Sequence, residues 1–169
     1  MSPDDEGRPR RASALVALGS NLGDRGANIG RALERIRSRP DCELGLVSRL
    51  IETDPVGGPP QPRYLNGAVE LFTTLRPERL LQCLHEIEES LGRVRSIPNA
   101  PREIDLDLLL YDDIVIDGPA ITIPHPRMLE RRFVLVPAAE IAPERLHPVT
   151  RRTLRSHLEE LASIVGGAP

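Results

Sequence analysis

Asp105 and Asp107 are separated by one residue, and this spacing makes them the strongest candidate metal ligands in the sequence. In a β-strand such side chains share a face and lie roughly 6.6 Å apart, because each residue advances the chain by about 3.3 Å. Two carboxylates so placed can hold one or two hard cations, notably Mg²⁺, which also binds substrate phosphates. A solvated acidic pair on an edge strand is the alternative that the spacing leaves open.

Arginines precede this pair of aspartates. Arg93 and Arg95 follow a predicted helix, and Arg102 stands three residues before Asp105, after a proline-rich link at residues 96–101. Guanidinium groups match phosphate oxygens in charge and geometry, so the pattern indicates a polyanion with its metal between the arginines and the aspartates. In the alternative, the arginines only neutralise the aspartates in surface ion pairs.

Two further side chains are candidates for the same site. His125 lies between Pro124 and Pro126, which hold it more rigidly than an ordinary loop histidine. Glu88 lies at the edge of a predicted buried helical stripe, where it could border a phosphate site or be a plain surface acid. The other histidines have no companions at metal-ligand spacing and are expected to be structural or solvated: His85, His147 and His157.

The composition excludes several kinds of chemistry. All 22 basic residues are arginine, so a lysine-containing phosphate loop, a Schiff-base lysine and a lysine general base are impossible. The net charge of −3 argues against a nucleic-acid binder held by bulk electrostatics. Cys42 and Cys83 form no CxxC pattern and are expected to be reduced and buried. With no signal-peptide pattern and no apolar run of about 18 residues, a cytoplasmic protein without a membrane span is expected.

The 169 residues predict one domain at residues 14–165, after a disordered tail at residues 1–13. Apolar runs and alternation predict four strands, at residues 14–18, 44–51, 64–72 and 104–111. Two predicted helices lie between them, the first capped by Asp24 and the second running from Pro77 to Gly92. The order β-α-β-β-α-β predicts a ferredoxin-like α+β sandwich, an antiparallel sheet with helices packed on it. A short strand at residues 121–123 and a helix at residues 150–164 would extend it at the C-terminus.

Alternation along two of the predicted strands decides which side chains share a face. Tyr64 and Asn66 point the same way on the third strand. On the fourth strand one face would carry Ile104, Leu106, Leu108 and Leu110. The other face would carry Asp105, Asp107, Leu109 and Tyr111. This pattern predicts a sheet covered on one side only, with the aspartates bordering a groove or solvent.

The sequence resembles one family, the 6-hydroxymethyl-7,8-dihydropterin pyrophosphokinases of folate biosynthesis. The most specific part of the resemblance is carried by Arg102-Glu103-Ile104-Asp105-Leu106-Asp107 and Pro124-His125-Pro126-Arg127. Between about residues 14 and 148 it also includes residues 16–24, 64–66, 87–88, 92–95 and 131–135. Two separate motifs in this order are far more specific than any single short motif.

The resemblance implies transfer of pyrophosphate from ATP to the hydroxymethyl oxygen of the pterin, with release of AMP. It implies that Asp105 and Asp107 hold two Mg²⁺ ions and that Arg93 and Arg102 act with them in catalysis. Nucleotide contacts would come from Glu88, Arg95, Leu108, Thr122, His125 and Arg131. The implied partners are these small molecules, without nucleic acid or membrane, and the chain is expected to be a monomer.

The resemblance also implies a pterin site with an aromatic pair. Tyr64 and Phe133 would sandwich the ring, and Asn66 would bind its amide edge. Main-chain bonds would come from Thr53, Asp54 and Val56. The link at residues 96–101 lacks the arginine and the bulky aromatic that members often have there, so closure of this loop is where the chain is expected to differ most.

Two other classes of function compete with this hypothesis. A ferredoxin-like binding module has the same element order, but the sheet lacks the aromatic pattern of RNA-recognition domains and the net charge is negative. A metal-dependent phosphoesterase could use the same aspartates for hydrolysis. Such an enzyme would leave Tyr64, Asn66 and Phe133 without a purpose.

Overall fold

A computed structural model describes residues 9–94 and 98–166 of the chain. The main sheet contains β1 (Ala12–Ser20), β2 (Cys42–Val47), β3 (Ile51–Thr53), β4 (Tyr64–Thr73) and β5 (Asp105–Tyr111). A second, two-stranded sheet contains β6 (Ile116–Asp117) and β7 (Thr122–Ile123). The helices in the described ranges are α1 (Arg25–Arg37), α2 (Pro77–Ser90), α3 (Arg132–Ile141) and α4 (Leu154–Gly166). None of these helices combines the length and the hydropathy needed to cross a bilayer.

The strand order confirms the predicted fold class. Both β2 and β3 pair with β4, β4 pairs with β1, and β1 pairs with β5, all in antiparallel orientation. Because β2 and β3 form one interrupted strand, the order across the sheet is second, third, first, fourth, as in a ferredoxin-like sandwich. The interruption was not predicted at residues 44–51. It arises at Ser48. The Ser48 N–H donates to the Ala68 carbonyl at 2.9 Å, and the Ser48 Oγ accepts from the Ala68 N–H at 2.8 Å.

Helices α1 and α2 cover one face of the sheet. The Asp24 carboxylate caps α1 by accepting a hydrogen bond of 3.0 Å from the Ala27 N–H, as the sequence predicted. Pro77 begins α2, and Gly92 follows the helix with a φ of 102°, a conformation that glycine adopts without strain. The core between these helices and the sheet is aliphatic: Val16, Leu18, Ile29, Ile36, Val69, Leu71, Leu80, Leu84 and Leu106.

Helix α3 covers part of the opposite face and α4 packs against α3, so the prediction of a sheet covered on one side only was wrong. The second core contains Leu15, Ala68, Leu109, Leu135 and Ala138. Sequence reasoning missed α3 because the middle of this helix is apolar on all sides and therefore shows no amphipathic period. It also contains Pro137, a residue that is unfavourable inside a helix. Helix α4 begins at Leu154 and not at Thr150, since the His147 N–H bonds the Arg152 carbonyl in a preceding turn.

A β-bulge in β5 changes the predicted alternation. Leu15 pairs with Leu110 and Val16 pairs with Leu108, so Leu109 is an extra residue with no partner on β1. Leu109 and Leu110 therefore both enter the second core, whereas Tyr111 packs against the first. The predicted faces of Leu110 and Tyr111 were wrong, but those of Asp105 and Asp107, which precede the bulge, are unaffected.

Strand β1 is longer than predicted and begins at Ala12. The Ser13 N–H donates a hydrogen bond of 2.9 Å to the Asp112 carboxylate. Arg145 donates to the Ser13 hydroxyl at 2.7 Å and to its carbonyl at 3.0 Å. Residues 12 and 13, which the sequence assigned to the tail, are thus held in the sheet by side chains more than 90 residues away.

Candidate active site

A cavity of about 230 Å³ lies where the end of β1 meets the starts of β4, β5 and α3. The residues expected to bind pterin all line it: Thr53, Asp54, Val56, Tyr64, Asn66 and Phe133. Tyr64 belongs to β4, and Phe133 lies in the first turn of α3. The two rings therefore reach one cavity from different elements. Burial raises the pKa of the Tyr64 phenol, whose hydroxyl donates to Gln61 Oε1 at 3.4 Å.

A second cavity of about 340 Å³ adjoins the first. It is lined by residues that sequence analysis assigned to phosphate or metal: Arg93, Arg102, Asp105, Asp107, His125 and Arg131. Both cavities share Asn99, Arg102, Asp105, Asp107 and Arg131. The carboxylates thus lie at the junction between an aromatic compartment and a cationic one.

The Asp105 carboxylate is bound by two arginines. Arg93 Nη1 donates to Asp105 Oδ1 at 2.8 Å, and Arg102 Nη1 lies 3.3 Å from Asp105 Oδ2. The ion pairs that sequence analysis kept as an alternative are therefore present in the structure. Arginine forks that already lie at the junction can also bind an anion that enters the second cavity.

Asp107 has a different environment. Burial, with the negative charges of Asp105 and Glu88, raises its pKa to about 8. Within residues 9–94 and 98–166 no ion pair of Asp107 is formed, and no cluster of three or more metal-binding side chains is present. A cation that keeps water and phosphate oxygens as ligands needs only one or two carboxylates, so this donor set fits Mg²⁺.

His125 is oriented by two backbone hydrogen bonds. The backbone N–H of His125 donates to the Leu109 carbonyl at 2.9 Å, which attaches this segment to β5. Its Nδ1 accepts from the Arg127 N–H at 3.2 Å. Burial, followed by the charge of Arg131, lowers the pKa of His125. The neutral ring therefore carries its proton on Nε2, as a hydrogen-bond donor for an anion in the second cavity.

Comparisons with known proteins identify the family. Residues 15–143 match the family model of 7,8-dihydro-6-hydroxymethylpterin-pyrophosphokinase. The 2-amino-4-hydroxy-6-hydroxymethyldihydropteridine pyrophosphokinase of Bacillus subtilis is 44% identical over 76% of this chain and 77% of its own. The chain belongs to this pyrophosphokinase family. The corresponding protein of Pseudomonas aeruginosa is 42% identical over 86% of this chain and 87% of its own.

Other relatives contain this domain within a longer chain. The folic acid synthesis protein fol1 of Schizosaccharomyces pombe is 38% identical over 89% of this chain, which spans 20% of that protein. A Plasmodium falciparum HPPK-DHPS structure superposes with a TM-score of 0.77 at 15% identity, over 96% of this chain and 47% of that one. The second likeness supports the fold alone. As a pyrophosphokinase-family enzyme of folate biosynthesis, the chain uses ATP as co-substrate.

The structure brings three of the expected nucleotide contacts of this pyrophosphokinase to neither cavity. Glu88 is only 1% exposed, and its carboxylate accepts a hydrogen bond of 2.7 Å from the Leu106 N–H. It also pairs with Arg93, so this arginine lies between Glu88 and the second cavity. Burial raises the pKa of Glu88 to about 7. The Leu108 side chain lies in the first core, and Thr122 is exposed on β7. Arg95 lies outside the described residues.

Sequence reasoning missed a polar network that joins the loops of the site. Asn21 is 1% exposed; its Nδ2 donates to Gln61 Oε1 at 2.8 Å, and its Oδ1 accepts from the Arg102 N–H at 2.9 Å. Gln61 Nε2 donates to the Asn99 carbonyl at 2.9 Å. These bonds tie the loop before β4 to the segment before β5. Asn21 stood within the glycine-rich motif, but nothing local in the sequence marked Gln61.

Asp54 and Arg127 also line the first cavity. The Asp54 carboxylate is 84% exposed and accepts from Arg63 Nε at 2.9 Å, so its side chain is engaged at the surface. This leaves its main chain for a ligand, as the resemblance implied. Arg127 belongs to the Pro-His-Pro-Arg segment of the resemblance, but sequence analysis assigned it no ligand contact.

Proposed function

We propose that hydroxymethyl-dihydropterin occupies the first cavity and the triphosphate of ATP the second. One observation carries this assignment: the two cavities meet at Asp105 and Asp107 and share Arg102 and Arg131. A reaction between a flat heterocycle and a polyphosphate requires both substrates to meet at a charged junction. The hydroxymethyl oxygen would then approach the β-phosphorus of ATP at the aspartates.

In the first cavity the heterocycle would lie between the rings of Tyr64 and Phe133, with one edge on Asn66. The Arg131 guanidinium lies 5.8 Å from the centroid of the Phe133 ring, which places a cation beside the stacking surface. Aromatic stacking contributes about 0.5 to 1.5 kcal/mol beyond the buried area. The rings would orient the substrate, and Arg131 would reach from the same end toward the phosphates.

Asp105 and Asp107 would hold two Mg²⁺ ions. Bound there, Mg²⁺ would neutralise the phosphate oxygens and bring them into line with the attacking oxygen. Asp107, whose pKa is raised by burial and by neighbouring negative charge, would be one ligand of a cation. Asp105 would be another, and Arg93 and Arg102, which pair with it in the structure, would then be available to bind phosphate.

The reaction forms a bond from the hydroxymethyl oxygen to the β-phosphorus and breaks the bond from that phosphorus to the α–β bridging oxygen. AMP leaves with the electron pair of the broken bond, and the hydroxyl proton passes to water or to a phosphate oxygen. Arg93, Arg102 and the Nε2–H of His125 would stabilise the charge that develops on the phosphates. The mechanism relies on positioning and charge, which suits a chain without lysine.

Phe133→Ala tests the assignment of the cavities. It should weaken binding of 6-hydroxymethylpterin about tenfold, because stacking and buried area are lost, and leave binding of an α,β-methylene ATP analogue unchanged. Phe72→Ala is the matched control, since Phe72 lies at the other end of β4 and lines neither cavity. Isothermal titration calorimetry measures both affinities. Unaltered pterin affinity in Phe133→Ala would refute the aromatic site.

Two further expectations stay predictions: that the chain is a monomer and that it acts in the cytoplasm. Both described cysteines, Cys42 and Cys83, are buried and free, which is compatible with a reducing compartment. Sedimentation equilibrium of the purified protein tests the first expectation directly.

A further inference from the structure

Gly19 lies inside β1, a position where glycine is normally unfavourable. It pairs with Asn66 on β4 and with Asp105 on β5, and its φ lies outside the left-handed region. The backbone conformation at this position therefore does not require glycine. A glycine inside a strand often marks a place where a ligand or another group approaches closely.

The group that approaches Gly19 is the side chain of Asn66. A Cβ added at Gly19 would lie 3.0 Å from Asn66 Oδ1, and 3.8 Å from both Tyr64 Cδ1 and Asp105 Cβ. The first distance is tighter than ordinary van der Waals contact, so the amide oxygen would have to give way by a few tenths of an ångström. Gly19 itself lines the first cavity, so the space left by its missing side chain belongs to the floor of that cavity.

The same amide is held from its other end by Thr53. Asn66 Nδ2 donates to Thr53 Oγ1 at 2.6 Å, and Asn66 is only 7% exposed. One of the two N–H groups on Nδ2 is thus bound to β3, which fixes the orientation of the amide, while the oxygen faces the space beside Gly19. An amide fixed in this way keeps its carbonyl acceptor on the side of Gly19 and of the cavity that Gly19 lines.

We infer that Gly19 and Thr53 are positioning residues that fix the Asn66 amide, so that the cavity selects heterocycles with an N–H donor on the edge facing Asn66. The inference rests on the proposed pterin site. It adds that the side chain of Thr53 orients the Asn66 amide, whereas sequence analysis expected only a main-chain contact from Thr53. Gly19, which has no side chain, leaves space beside Asn66 Oδ1.

Gly19→Ala tests the first half of this inference. The variant should weaken 6-hydroxymethylpterin binding about tenfold, because the amide oxygen must move away from its acceptor position, while the affinity for the ATP analogue stays unchanged. Gly45→Ala is the matched control. Gly45 also lies in a strand, and its added Cβ would also lie 3.0 Å from its neighbours, which are Glu70 and Phe72 and lie outside both cavities.

Thr53→Val tests the second half with little change of volume. It removes the hydroxyl that holds Asn66 Nδ2, so pterin affinity should again fall about tenfold with unchanged nucleotide affinity. Thr53→Ser keeps the hydroxyl and should restore wild-type affinity, a rescue that a purely structural role of the methyl group would not produce. In turnover, Thr53→Val should raise KM for the pterin more than it lowers kcat.

The outcomes separate the inference from the function on which it rests. If the wild-type protein fails to bind 6-hydroxymethylpterin, the proposed function falls and the inference falls with it. If the wild type binds but Thr53→Val binds equally well, or Thr53→Ser does not restore affinity, the inference alone is overturned. Because Thr53→Val is nearly isosteric, this result can be read even if Gly19→Ala fails to fold.

Discussion

Asp105 and Asp107 are identical side chains on one face of one strand, yet their electrostatic environments are opposite in sign. Asp105 is neutralised by Arg93 and Arg102, whereas Asp107 is partly buried beside other carboxylates. The first contributes to the stability of the free protein through its ion pairs. The second costs stability whenever it is charged, which is the expected condition of a group kept for binding a cation.

This contrast predicts that Asp107→Asn and Asp105→Asn change the stability in opposite directions, although both should abolish activity. Asp107→Asn removes a carboxyl whose ionisation is disfavoured by burial and by neighbouring carboxylates, and it should raise the melting temperature by about 2 to 4 °C, the effect of ~1 kcal/mol in a domain of this size. Asp105→Asn removes the partner of two arginines and should lower it. Differential scanning calorimetry and turnover assays check both. Full activity in either variant would exclude the metal role.

At the scale of elements, two loops interlock between the cavities. The loop before β4 contains Gly57 and Gly58, with φ of 73° and 75°, and Asn99 faces them with φ of 58°. A Cβ at Gly58 would lie 2.6 Å from the Asn99 carbonyl oxygen, whereas one at Gly57 would lie 3.5 Å from Asn99 Nδ2. Together with the bond from Gln61, this close packing fixes the segment before Arg102.

Gly58→Ala should therefore displace this segment, whereas Gly57→Ala should not. Both variants carry the same left-handed backbone strain of about 1 kcal/mol, so strain alone cannot separate them. Because Asn99 lines both cavities, Gly58→Ala should raise KM for both ATP and the pterin severalfold. Steady-state kinetics with each substrate varied in turn measures this difference. Equal KM values in the two variants would contradict the interlocked arrangement.

Sequence periodicity predicted the elements whose pattern is local. It identified the cap at Asp24, the start of α2 at Pro77, the shared face of Tyr64 and Asn66, and the ferredoxin-like order. It could not predict the bulge at Leu109, because an extra residue in a strand leaves the hydrophobic composition unchanged. Helix α3 was missed for the related reason that a helix buried on several sides carries no amphipathic period.

Asp105 and Asp107 were predicted to share a site from their spacing, and Phe133 was assigned to it by the family resemblance; all three line the first cavity. The site was not predictable where a residue acts through distant partners. Asn21 joins segments 40 and 81 residues away, and Glu88 joins α2 to β5 across 18 residues. Such bonds depend on tertiary packing, so no local pattern announces them. The geometry also changes the interpretation of Glu88, from a nucleotide contact to a support for Arg93.

At the scale of the whole molecule, the site lies at one end of the sheet and a buried histidine pair lies in the layer of α4. His147 and His157 are 6% and 7% exposed, with ring centroids 5.9 Å apart. His157 Nε2 lies 2.7 Å from Thr150 Oγ1. Burial lowers the pKa of both rings. The charge of His157 lowers the pKa of His147 further, and the charge of Arg152 lowers the pKa of His157 further.

This pair predicts a loss of stability in mild acid. Because the folded-state pKa values lie below the ordinary value of 6.5, the folded protein binds fewer protons than the unfolded chain. The free energy of unfolding should therefore fall as the pH drops below about 6.5. The raised pKa values of Glu88 and Asp107 act in the opposite direction, so a variant must isolate the histidine contribution.

His157→Gln isolates it while keeping a hydrogen-bonding group near Thr150. The stability advantage of the wild type over this variant should shrink between about pH 7.5 and about pH 5, because the variant lacks the buried ring of His157, which must charge in the wild type. Urea unfolding at the two pH values measures the change. An advantage that is constant with pH would show that the buried pair does not titrate as the fold implies.

The whole fold brings an aromatic compartment and an arginine-lined compartment to one pair of aspartates, and the central claim is that two substrates react there. The most direct test incubates the purified protein with ATP, Mg²⁺ and 6-hydroxymethyl-7,8-dihydropterin and follows nucleotide and pterin together by chromatography. The account predicts one AMP formed for each pterin consumed, and no AMP without pterin. Release of ADP, or AMP formed at the same rate without pterin, would contradict it.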